Sequence, residues 1–214
     1  MQTLGVKGRL EVICGSMFSG KTEEFLRRLK RAEFAKQNVL TVKHSIDKRK
    51  NMSATSVVSH QGNQRTAVVI DGSDGGVEKI LELSTQNIDV VGIDEIQFFP
   101  VQIIDVICKL IECGKRVVVA GLDLDFRGEP FGVVPVLLSI ADEVVKLKAI
   151  CVVCGKEAHH TQRIVNGNPA KYSDPIILVG AQECYEARCR DCFCIDQKPC
   201  LIPTNSEKSK IVNV

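Results

Sequence analysis

One octapeptide limits this chain to a narrow set of folds. Gly15-Ser16-Met17-Phe18-Ser19-Gly20-Lys21-Thr22 fits G-x-x-x-x-G-K-[ST] at every fixed position. In that pattern the glycines let the backbone turn tightly, so that successive N–H groups face the oxygens of a phosphate. The lysine reaches the outer phosphates, and the Thr hydroxyl can ligate Mg²⁺. Leu10–Cys14, just before it, is a short apolar run that reads as a strand. Thr22–Lys36, just after it, carries Phe25, Leu29 and Ala32 at helical spacing. Strand, glycine loop and helix in this order is the setting the motif needs, and the helix N-terminus adds its dipole to anion binding. A glycine-rich turn in an unrelated α/β protein is the competing reading, and the flanking elements count against it.

The rest of residues 9–148 repeats the alternation. Further strands are expected at Asn38–Lys43, Ala67–Ile70, Val90–Ile93, Arg116–Gly121 and Val144–Leu147. Helices are expected at Gly76–Leu83, Val101–Cys113 and Val134–Ala141. Runs such as Val117-Val118-Val119-Ala120 are apolar without a break, which suits strands covered on both faces. Strand–helix alternation then implies right-handed βαβ units and a mostly parallel sheet with flanking helices. The fold class is α/β of the P-loop, RecA-like kind. The polar stretch His44–Arg65 shows little periodicity and reads as a loop.

From Ile150 the character changes to cysteines and turn residues, with one short apolar strand expected at Pro175–Val179. The division predicted is a nucleotide-binding domain over 1–149, a small metal-organised subdomain over 150–195 and a disordered tail over 196–214. A length of 214 residues suffices for one core and such an appendage.

Charge narrows the function. A net charge of +2 leaves no electrostatic footprint for a nucleic acid, and the absence of Trp argues against an aromatic stacking platform. The basic run Arg27, Arg28, Lys30 and Arg31 reads as a solvated helix face. No stretch is apolar enough to span a membrane and the first residues lack a signal-peptide core, so the expected compartment is the cytoplasm.

The partner of the phosphate loop is Asp94-Glu95, which follows the apolar run Val90–Ile93. An Asp at the end of such a strand helps to hold Mg²⁺, and the neighbouring Glu can take a proton from an attacking oxygen. The chain is therefore expected to bind ATP with Mg²⁺ through Thr22 and Asp94. At this point the attacking group is open: water in an ATPase, a hydroxyl in a kinase.

Ten cysteines in a chain expected in the cytosol point to metal or free thiols rather than a disulfide framework. Cys151-Val-Val-Cys154 and Cys189-Arg-Asp-Cys192 form two C-x-x-C knuckles, a ligand set that suits structural Zn²⁺. Cys184 and Cys194 lie close enough in sequence to substitute as ligands, and His159-His160 reads as ordinary polar positions.

These motifs together resemble the type II, zinc-containing thymidine kinase family. The resemblance rests further on Asp94-Glu-Ile-Gln-Phe-Phe99, Gly121-Leu-Asp-Leu-Asp-Phe-Arg-Gly-Glu-Pro-Phe-Gly132, Thr161-Gln-Arg163, Ile176–Gly180 and Tyr185. It implies transfer of the ATP γ-phosphate to the 5′-hydroxyl of thymidine, and of deoxyuridine, in pyrimidine deoxynucleotide salvage. Glu95 would be the general base, with nucleotide contacts from Gly15–Thr22, Asp94 and Gln97, and from Asp47 and Arg49 of an Asp-x-Arg pattern. Phe126 would stack on the thymine, and Met17, Leu122 and Thr161 would wall the base. Main-chain groups of Ile176, Ile177, Leu178, Val179 and Gly180, with the Tyr185 hydroxyl, would bind the nucleoside. Ser16 stands where many members have Pro. The resemblance also implies a homotetramer inhibited by thymidine triphosphate. A P-loop ATPase acting on DNA is the rival reading, and it needs a basic groove that this composition does not supply readily.

Overall fold

The computed structural model describes residues 7–46, 56–58, 64–72, 75–84, 87–177 and 184–199. In chain order the elements of its first part are β1 (Arg9–Gly15), α1 (Lys21–Phe34), β2 (Val39–His44), β3 (Ser56–Val58), β4 (Gln64–Thr66), β5 (Val68–Ile70), α2 (Lys79–Leu83) and β6 (Val90–Asp94). There follow α3 (Ile103–Glu112), β7 (Arg116–Gly121), α4 (Val134–Ile140) and β8 (Glu143–Leu147). The remainder is β9 (Ala149–Ile150), β10 (Glu157–Ala158), β11 (His160–Val165), β12 (Asn168–Pro169) and β13 (Cys184–Arg188).

Six strands form one sheet in the order β5-β2-β6-β7-β1-β8, and every pairing in it is parallel. Its two faces follow from the two-residue period of a strand. Leu10, Val12 and Cys14 of β1, with Val117 and Val119 of β7, pack with α3 and α4 on one side. Ile13, Val118 and Ala120 point the other way, onto Phe25, Leu29 and Ala32 of α1. Helix α3 buries Ile103, Val106, Ile107 and Leu110, which is one stripe at 3- and 4-residue steps. The expected α/β architecture is borne out, with element ends shifted by a few residues.

Three expectations need correction. The stretch read as a loop over 44–65 contains an antiparallel hairpin of β3 with β4, whose Val57 is buried against α1's side of the sheet. Arg65 pins it by donating to Thr41 Oγ1 at 2.5 Å and pairing with Glu33 at 2.8 Å. Strands of three residues are too short to show a period. The basic run of α1 is not uniformly solvated either: Arg28 is buried and donates to Glu11 Oε2 at 2.6 Å, because the apolar face of α1 brings it over β1. Finally, Pro175–Ile177 is not a strand. The strands of the C-terminal part are β11 and β13, paired antiparallel with β12 at the edge.

The described chain also continues in contact beyond Ile195. Asp196 bridges Lys171, the Tyr172 N–H donates to the Asp196 carbonyl at 2.8 Å, and Lys198 Nζ donates to the Arg127 carbonyl at 2.9 Å.

Candidate active site

All parallel strands of a sheet end on the same edge, so the loops after β1, β6 and β7 converge. The loop after β1 is the phosphate motif. Gly20 caps α1 with φ 85°, a left-handed conformation that glycine adopts without a Cβ penalty. Lys21 Nζ donates to the Ser16 carbonyl at 2.7 Å, and Thr22 is buried at the first turn of the helix. Phe18, also left-handed at φ 64°, leaves its ring 49% exposed. The first-turn Glu24 is engaged by Arg27 and Arg28, which hold its carboxyl down to about 2, so its charge is screened beside the phosphate cradle.

Strand β6 is buried along its whole length and delivers Asp94 to the same edge, with β7 between it and β1. The Glu95 N–H donates to Asp94 Oδ1 at 2.9 Å. Glu95 itself has φ 53°, a strained conformation for a residue with a side chain. It opens a 3₁₀ turn over Ile96–Phe98. From within this turn Gln97 Nε2 donates to Glu95 Oε2 at 2.6 Å, and Gln97 Oε1 accepts the Leu122 N–H at 3.0 Å.

After β7 the chain folds into a tight loop. Asp125 Oδ1 accepts the N–H groups of Arg127 and Glu129 at 2.8 and 3.0 Å, and Leu124 bridges Pro130. Phe126 sits inside this loop and is buried. The Arg163 guanidinium lies over its ring at 4.5 Å, and that of Arg127 at 5.5 Å. Buried Asp123 pairs with Lys146 Nζ at 2.6 Å. Behind the loop, burial pushes the Cys14 thiol up to about 11, and the nearby Asp123 charge adds to this.

The C-terminal part reaches the phosphate loop directly. Thr161 Oγ1, on β11, accepts the Met17 N–H at 3.0 Å, and Ser16 Oγ donates to the Ala158 carbonyl at 3.4 Å. Tyr185, on β13, is registered opposite Arg163, whose Nη1 donates to the Pro175 carbonyl at 2.7 Å. Ile176 and Ile177 are exposed. Asp47, Arg49, Leu178, Val179 and Gly180 lie outside the described residues. The structure thus joins Met17 to Thr161, and Glu95 through Gln97 to Leu122. Arg163 had no role assigned from sequence. Its burial beneath a ring follows from tertiary packing, and its only local signal is its place in Thr161-Gln-Arg163.

The Sγ atoms of Cys151, Cys154, Cys189 and Cys192 all lie within 4.8 Å of one another, with Cys154 and Cys189 at 3.5 Å. Tetrahedral Zn²⁺ with Zn–S bonds of about 2.3 Å needs sulfurs roughly 3.8 Å apart, so this all-thiol donor set fits structural zinc. Each knuckle is a turn: the Gly155 N–H donates to the Cys151 carbonyl and the Cys192 N–H to that of Cys189. Cys184 and Cys194 stand outside the cluster. His160 is spoken for elsewhere, stacked on Phe193 with ring centroids 4.5 Å apart, and burial lowers its pKa.

Among the described residues no helix is long and apolar enough to cross a membrane. The family model described as thymidine kinase matches residues 8–193, most of the chain and every feature of this site. On that match and this geometry, the chain belongs to the thymidine kinase family, the ATP-dependent enzymes that phosphorylate thymidine.

Proposed function

We propose that Glu95 is the base of this kinase, taking the proton of the thymidine 5′-hydroxyl as its oxygen attacks the ATP γ-phosphorus. The Gly15–Gly20 amides and Lys21 hold the phosphates, and Lys21 offsets charge on the transferring group. Thr22 and Asp94 are hard oxygen donors that fit Mg²⁺, which when bound would screen the phosphate charge. Asp47 and Arg49 complete the expected nucleotide side, while the Gln97 amide bonds Glu95 and Leu122. On the acceptor side Met17, Leu122, Phe126 and Thr161 wall the thymine. Ile176–Gly180 and Tyr185 bind the nucleoside from a loop tied down by zinc on Cys151, Cys154, Cys189 and Cys192. One observation carries the reading: the Met17–Thr161 hydrogen bond seats the C-terminal strand on the phosphate loop, so that donor and acceptor sites adjoin.

The division into a nucleotide-binding domain (1–149), a zinc-tied substrate domain (150–195) and a tail (196–214) belongs to the same proposal. So do activity on deoxyuridine, a role in deoxynucleotide salvage in the cytoplasm, assembly as a homotetramer and inhibition by thymidine triphosphate.

The test is ADP release from ATP with and without thymidine, for the parent enzyme and Glu95→Gln. Thymidine-dependent release is expected, falling in the variant by about 10²- to 10⁴-fold with ATP affinity retained. Parent-like turnover in Glu95→Gln, or a matching loss of ATP affinity, would remove Glu95 from the base role.

A further inference from the structure

Gln97 stands between the base and the acceptor segment, and its bonding differs from that of a nucleotide ligand. The side chain is buried, with only 3% of the residue exposed. Both ends of its amide are engaged within the protein, one on a carboxylate and one on a backbone N–H. The orientation of that amide is fixed by chemistry. The Leu122 N–H can only donate, so it must meet the carbonyl oxygen, and the NH₂ must then face the Glu95 carboxylate, which when ionised can only accept. The slot around it is closed as well. A Cβ on Gly121 would lie 2.5 Å from Gln97 Oε1 and 2.7 Å from Ile96 Cγ2. A Cβ on Gly132 would lie 2.4 Å from the Gln97 carbonyl oxygen.

We propose that Gln97 is the positioning residue of Glu95. Its amide holds the carboxylate against the strained backbone of that residue and ties it to Leu122, the first residue of the segment that leads to Phe126. Glu95 has φ 53° and opens a short turn, so its backbone alone does not define where the carboxylate points. The amide supplies a constraint on it. Because its other end rests on the acceptor segment, a displacement of Leu122 is passed to the carboxylate through a single rigid amide plane. The base is thereby registered to the wall of the nucleoside site rather than to the nucleotide. The inference rests on the reading of Glu95 as base.

The experiment is a double-mutant cycle on the full-length enzyme, reading the single-turnover rate of phosphoryl transfer and, separately, ATP affinity. Gln97→Met keeps the length of the side chain and removes both hydrogen bonds. A loss of about 10- to 100-fold in rate is expected, the scale of a misplaced reacting group, with ATP affinity within about twofold of the parent. In a Glu95→Gln background the same substitution should cost no further rate, because the group it positions is gone. Gly121→Ala leaves every functional group intact and presses on Gln97 Oε1. It should show the same pattern, a slower rate in the parent and none of that loss beside Glu95→Gln. An equal loss in both backgrounds would overturn the proposal, as would weakened ATP binding with an unchanged rate. Parent-like turnover in Glu95→Gln alone would overturn the base reading itself, and that failure is seen in a different variant.

Discussion

The guanidinium of Arg163, with no exposed surface, lies 4.5 Å over the ring of Phe126 while its Nη1 holds the Pro175 carbonyl at 2.7 Å. One side chain therefore braces the ring proposed to stack on thymine and the start of the loop proposed to bind the sugar and base. Arg127 works alongside it, donating to the Asp174 carbonyl at 2.8 Å and lying 4.9 Å over the Tyr172 ring.

Arg163→Met keeps most of the volume and removes the charge and the donor. A desolvated cation–π contact is worth about 2 kcal/mol, so the thymidine KM should rise roughly tenfold or more. The ATP KM should change little. Steady-state kinetics with each substrate varied in turn checks this, and an unchanged thymidine KM would confine Arg163 to a structural role.

Thr161→Val is nearly isosteric and deletes the acceptor of the Met17 N–H. Leaving that donor unsatisfied should cost about 1–3 kcal/mol, read as a lower midpoint in urea unfolding. Since Met17 belongs to the phosphate loop, the ATP KM should rise together with the thymidine KM. A rise for thymidine alone would show that Thr161 acts only as a wall of the nucleoside site.

Removing zinc should act on both substrates for the same reason. The cysteine knuckles are joined by the Val152 N–H donating to the Ala187 carbonyl, and β11 follows directly from this unit to Thr161. Chelation, or Cys189→Ser, is expected to abolish thymidine-dependent turnover and weaken ATP binding only a few-fold. Metal content, turnover and ATP titration on the same sample decide the matter. Full turnover in metal-free enzyme would sink the proposed role of the knuckles.

Glu11 governs acid stability. It is 1% exposed and accepts from Arg9, Arg28 and Arg116 at 2.6–2.9 Å. Burial alone would raise its pKa, but the three guanidiniums outweigh it and hold the carboxyl down from 4.5 to about 2. A carboxyl depressed on folding contributes stability that is complete above its unfolded value. That contribution is lost as pH falls from about 4.5 towards 2. Thermal melts across that window should show a falling midpoint in the parent and a shallower fall in Glu11→Gln. At pH 7 the variant should be less stable by about 1–3 kcal/mol, because buried Arg28 loses one of its three carboxylate partners and the more exposed Arg9 and Arg116 lose this one.

The features legible in the sequence are those carried by neighbours along the chain. The phosphate loop, the Asp94-Glu95 pair and the two cysteine knuckles each need residues only a few positions apart, and each was found where expected. So were the long strands and helices, whose periods run for several residues. The hairpin of β3 and β4 was missed because three-residue strands carry no period. The strand expected at Pro175–Val179 was drawn from its apolar run. Yet Pro175–Ile177 is exposed and unpaired with either β11 or β13, whose polar residues Gln162, Arg163 and Glu186 gave no apolar signal.

What the sequence determined by itself was the set of groups on offer: a phosphate-loop motif, two adjacent carboxylates at a strand end, four thiols, and a fold that lines strand ends along one edge. What only the tertiary structure decided was which of these groups act on one another. Thr161 meets Met17 across 144 residues, and Glu95 is held by the Gln97 amide, whose other end rests on Leu122, 25 residues from Gln97. A hydrogen bond depends on distance and direction in space. Those are set when the sheet stacks its loops on one edge and the C-terminal strands close over them, and no spacing along the chain encodes them.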